Sequence, residues 1–111
     1  MLENFPGKPV STEIYEKVET LVDGELGSSW VLKKAVNGIV IDNTTNSQYV
    51  VSDKVTPLVT SNIYYESEDI DFDIEDSWKI VVGVMDYIVI HENKKAIDEG
   101  IIIVSVKKDV N

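Results

Sequence analysis

The stretch S-T-E-I-Y-E-K-V-E-T-L-V-D, residues 11–23, decides how the fold is read. Ile14, Val18, Leu21 and Val22 fall at i, i+4, i+7 and i+8, the spacing of one apolar helix face. Glu13, Glu16, Lys17, Glu19 and Thr20 lie largely on the opposite side. Ser11 offers a hydroxyl for an N-cap, and Glu13 suits the positive end of the helix dipole. Gly24, or Gly27 after it, supplies a stop. The spacing therefore predicts a helix over residues 11–23, preceded by an extended lead-in broken by Pro6-Gly7 and Pro9.

Beyond Ser29 the period changes. W-V-L-K-K-A-V (30–36) reads as a strand, Asn37-Gly38 as a two-residue hairpin turn, and 39–42 as the return strand. N-T-T-N-S (43–47) is expected to turn again into a strand over 48–52, with Pro57 at an edge or bend. Residues 78–91, W-K-I-V-V-G-V-M-D-Y-I-V-I-H, are apolar on both alternating faces, with a bulge or bend at Gly83 or a turn near Asp86. Residues 92–100 form a polar connection with one helical turn ended by Gly100, and I-I-I-V-S-V (101–106) is the last strand.

Composition supports a β-rich chain. Val and Ile supply 30 of 111 residues and Ala only two, and β-branched side chains suit a pleated surface. The expected fold is α+β in a single domain, residues 1–111: the N-terminal helix packed on a curved, mostly antiparallel sheet of five to seven strands. A small, partly open β-barrel with the helix at one end is the alternative.

Residues 66–76, E-S-E-D-I-D-F-D-I-E-D, concentrate the charge, with seven acids in eleven positions. Asp69, Asp71, Asp73 and Glu75 alternate with Ile70, Phe72 and Ile74. An extended backbone would set carboxylates on one face and an apolar stripe on the other; strand and loop both remain open here. The whole chain carries 20 acids against ten lysines, a net charge of −10, with no Arg and no Cys. A balance this acidic opposes nucleic acid and anionic membrane surfaces. The lack of Cys excludes disulfides and thiolate metal sites. No apolar run reaches the length of a membrane-spanning helix, and the N-terminus lacks a signal-peptide pattern, so a cytoplasmic protein is expected.

The chemistry is sparse. His91 is the lone histidine, and its neighbour Glu92 is the only hint of a base. No nucleophile elbow or phosphate-cradling loop occurs, so no enzyme activity, catalytic residue or cofactor is expected. Asp69, Asp71 and Asp73 match the first three ligand positions of an EF-hand, but Ile74 and Ile80 replace its Gly and its bidentate Glu. No metal site is assigned; weak surface binding of Ca²⁺ stays open. The expected function is an acidic protein–protein interaction module, an inhibitor or antitoxin/immunity-like protein occupying a basic, nucleic-acid-binding type of site on a partner. Its partner-binding residues are Glu66, Glu68, Asp69, Asp71, Asp73, Glu75 and Asp76, flanked by Tyr64 and Tyr65. The alternative is a small structural or assembly subunit, of a phage particle or a homo-oligomer, without inhibitory role. Neither reading sets the oligomeric state.

Overall fold

A computed structural model describes residues 7–42, 50–51, 54–55 and 59–109. Eight strands run in order: β1 (Val10–Val22), β2 (Glu25–Asp42), β3 (Val50–Val51), β4 (Lys54–Val55), β5 (Ser61–Glu66), β6 (Lys79–Val82), β7 (Met85–Asn93) and β8 (Ile101–Lys108). Six of them close a barrel in the order β1-β2-β5-β8-β7-β6, with β6 returning to β1, and every pairing is antiparallel. β3 and β4 pair separately. The expected turn at 43–47, Pro57 and most of the strand at 48–52 lie outside the described residues.

The expected N-terminal helix is absent, and with it the α+β class: the described residues hold no α-helix, and residues 11–23 are the strand β1 and the start of a turn. The reason lies in a second periodicity within the same stretch. Val10, Thr12, Ile14, Val18, Thr20 and Val22 are all β-branched and all even-numbered. Threonine counts as polar in an apolar stripe, yet it fits a strand as well as valine does. β1 can then pair along its whole length with β2.

The turn between them is Asp23-Gly24, with φ of 53° and 82°. Two consecutive positive φ values are what a two-residue hairpin turn of type I′ requires, and Asp-Gly supplies them at low cost. Asn37-Gly38, expected to turn, instead sits inside β2 opposite Ser11 and Val10. A bulge at Ile14/Tyr15 leaves Lys33 as the extra residue of β2. Gly83 (φ 62°) and Val84 form the tight turn between β6 and β7, and a 3-10 turn at Ile97–Glu99 ends on left-handed Gly100.

Alternate residues fill the barrel. Ile14, Ile63, Tyr65, Ile80, Ile102, Val104 and Val106 are essentially sealed from solvent. Burying an Ile or Val side chain contributes roughly 1.5–3 kcal/mol, so these inward positions supply much of the driving force. Two buried polar side chains, Thr12 and Ser61, are hydrogen-bonded. Thr12 Oγ1 lies 2.7 Å from the Val36 carbonyl and 2.8 Å from Tyr65 Oη. The single Thr12 proton goes to the carbonyl, and the Tyr65 hydroxyl then donates to Thr12. Ser61 Oγ lies 2.6 Å from Asp42 Oδ1, to which it donates.

Burial pushes the Tyr65 phenol well above its ordinary range, opposed only in part by Thr12. A raised folded value stabilises the fold fully below the unfolded value of about 10 and progressively less as pH rises above it. Tyr65→Phe is expected to cost about 1 kcal/mol at neutral pH and to flatten the loss of stability above about pH 10. Chemical denaturation of both proteins on either side of that pH checks the effect.

Candidate functional site

The acidic segment begins where β5 ends. Ser67–Asp69 form one 3-10 turn, after which residues 70–78 run as an irregular but anchored loop. The Ser67 amide donates to the Gly100 carbonyl (2.9 Å), and the Ser77 amide to the Val89 carbonyl (2.9 Å). The Val89 amide donates back to the Trp78 carbonyl at 2.8 Å. Both ends of the loop are therefore fastened to the barrel by main-chain bonds.

Its apolar residues hold the middle. Ile70, Ile74 and Trp78 are buried in the same cluster as the barrel interior, and half-buried Phe72 packs against them. The Phe72 and Trp78 rings lie 6.3 Å apart at 28°. Glu68, Asp71, Asp73, Glu75 and Asp76 are exposed, while Glu66 and Asp69 are half-buried. The alternation of the sequence thus sorts the side chains as expected, acids outward and Ile inward, without forming a strand.

Glu92 and Lys94, neither of them assigned to the acidic segment from the sequence, complete the anchor. Glu92, on β7, has a side chain only 9% exposed. Its Oε2 accepts the Ile74 amide at 3.0 Å, and Lys94 lies 3.6 Å from its other oxygen. Lys94 also bonds Asp73 at the loop surface, and Asp73 raises the Lys94 ammonium above its ordinary range. Glu92, paired with His91 in the sequence reading, is thus committed to holding the loop. Its 18-residue separation from Ile74 leaves no local signal for that role.

Among the described residues, two other lysines reach the segment through its main chain and a ring. Lys34 donates to the Asp69 main-chain carbonyl, and Lys33 lies 5.5 Å from the centre of the Phe72 ring. Carboxylate oxygens of Glu66, Glu68 and Asp69 gather within 4.8 Å of one another at the start of the loop. Exposed acidic groups of this kind commonly hold no ion, and the cluster is reported as geometry alone. A shallow, open recess lined by Lys17, Glu19, Glu75, Asp76, Ser77 and Trp78 separates the far end of the loop from β1.

One expected partner-binding residue requires correction. Tyr65 is wholly buried and hydrogen-bonded to Thr12, so it belongs to the core and is out of reach of a partner. Strand parity explains this, since Ser61, Ile63 and Tyr65 share the inner face of β5. Tyr64, on the outer face between Ile39 and Ile103, is half-buried.

Comparison with protein-family models finds no match, and neither does comparison with curated proteins. Among the described residues, no helix is long and apolar enough to cross a membrane.

Proposed function

We propose that the chain is an acidic protein-interaction module, inhibitor-like or antitoxin-like, that works by occupying a basic site on a partner protein and performs no chemistry of its own. The observation that carries this reading is the sorting of residues 68–76. Glu68, Asp71, Glu75 and Asp76 are exposed, while Ile70 and Ile74 fix the backbone from beneath. Ordered carboxylates lose little freedom on binding, so more of their attraction for a cation survives as affinity. The chain's net charge of −10 adds long-range attraction toward a basic surface and repulsion from nucleic acid. Asp73 contributes less than its neighbours because Lys94 already engages it. A cytoplasmic setting belongs to the same proposal and is supported by the absence of Cys.

The test is capture of a basic protein by immobilised chain at low ionic strength, compared with the double variant Asp71→Lys/Glu75→Lys. Both positions are exposed, so the variant is expected to keep the parent's melting temperature. Capture is expected to fall steeply with added salt and to be lost in the variant. Equal capture by the variant, or capture indifferent to salt, would remove the acidic loop from the interface.

A further inference from the structure

The chain carries a second unpartnered surface, independent of the acidic loop. β1 pairs with β6 only at Glu13, Ile14 and Tyr15, and β2 pairs with β5 only from Ile39 to Asp42. From Glu16 round the Asp23-Gly24 turn to Leu32, the hairpin therefore leaves the barrel with no ladder partner on either edge among the described residues. At about 3.3 Å per residue its seven-residue outer arm reaches about 23 Å, in keeping with principal extents of 50 × 36 × 28 Å. Leu21 (72% exposed) and Leu26 (70%) stand side by side near its tip, and Val22, Val31 and Leu32 are exposed as well. Proteins usually blunt such apolar edges, because free N–H and C=O groups beside apolar side chains template pairing with another chain.

Charge selects the occupant. From Glu16 to Lys34, three lysines (Lys17, Lys33, Lys34) nearly balance four acids (Glu16, Glu19, Asp23, Glu25), so the arm with its base carries −1 and the remaining residues −9. The arm is thus a long surface on which two copies of this acidic chain meet with little like-charge repulsion. Of its two edges, that of β1 faces Glu75 and Asp76 across the recess, and pairing there would bring the acids of both copies together. The edge of β2 is clear of the acidic loop from Glu25 to Leu32 and meets it only at Lys33 and Lys34.

We propose that the free edge of β2 pairs antiparallel with the same edge of a second copy, about a two-fold axis at Ser29. This register sets Leu26 against Leu32, Ser28 against Trp30, and Glu25 against Lys33, each pair occurring twice by symmetry. Opposite charges meet at both ends and leucines meet between them, an arrangement that any one-residue slip destroys. Hydrogen-bond direction agrees. Val22 and Glu25 flank a two-residue turn and bond to each other, so along β2 the groups of Leu26, Ser28, Trp30 and Leu32 point away from β1. Those are the residues the register pairs.

The experiment is mass by light scattering on the whole chain, with three variants. The wild type is expected at twice the mass of one chain. Ser28→Pro removes an outward-pointing amide and no hairpin bond, and proline is tolerated on an edge, so it is expected to give a folded monomer. Glu25→Lys is expected to weaken association by placing two lysines together, and Glu25→Lys/Lys33→Glu to restore it. A monomeric wild type overturns the proposal; if that monomer sediments with phosphatidylcholine vesicles, the arm is assigned to a lipid surface instead. A dimer indifferent to Ser28→Pro, or one not rescued by the charge exchange, overturns the interface.

Discussion

Trp78→Ala is expected to lower stability by about 3–5 kcal/mol, the usual cost of emptying a buried aromatic site. Trp78 is buried between the barrel and the acidic loop, stacked on Phe72, and its carbonyl accepts the Val89 amide. The substitution leaves the main-chain bond possible but removes the side chain against which Phe72 and its neighbours pack. Its effect on the loop should exceed its effect on the barrel strands, because Ile70 and Ile74 lose a shared neighbour while the β-ladders remain. Urea denaturation measures the loss as a lower midpoint. A change under about 1 kcal/mol would mean that Trp78 covers the core and does not belong to it.

Gly38→Ala is expected to cost about 1–3 kcal/mol through overpacking. A methyl group at Gly38 would lie 2.8 Å and 3.0 Å from two ring carbons of Tyr65 and 3.1 Å from the Tyr64 carbonyl. The ring has no easy retreat, since its hydroxyl is tied to Thr12 and the residue is sealed in the core. Gly27→Ala provides the control. It lies on the same strand, with its nearest neighbour 3.9 Å away and in ordinary van der Waals contact, and it should change stability by less than about 0.5 kcal/mol. Equal melting curves for the two variants would show that the Tyr65 ring does not press on β2.

Gly38 also illustrates what could be read from the chain and what could not. Asn37-Gly38 and Asp23-Gly24 carry the same local turn signal, and only the latter turns. What distinguishes them is Tyr65, 27 residues beyond Gly38 in sequence and packed on its α-carbon. Residues 11–23 failed for a different reason. Four apolar residues fit a helix face, whereas the even-numbered β-branched set that fits a strand includes two threonines and is hidden from a purely apolar count. Tyr65 was legible: Ile63 is an obvious core residue, and period two puts Tyr65 beside it and Tyr64 on the other face. In the acidic loop the inward set of Ile70 and Ile74 followed directly from alternation, because that pattern needs no knowledge of distant partners. The Glu92–Lys94 anchor did need such knowledge, and so did the free edges of the hairpin, which depend on where β5 and β6 stop pairing.

Binding by the acidic loop depends on its being held still. Backbone ¹⁵N relaxation across residues 66–78 measures this directly. Order parameters near the value of about 0.85 found in rigid backbone, matching those of β5 and β7, are expected for Ile70, Ile74 and Trp78 and for the acids between them. Values below about 0.6 through the same residues would make the segment a charged tether, and its acids would present no fixed surface to a partner.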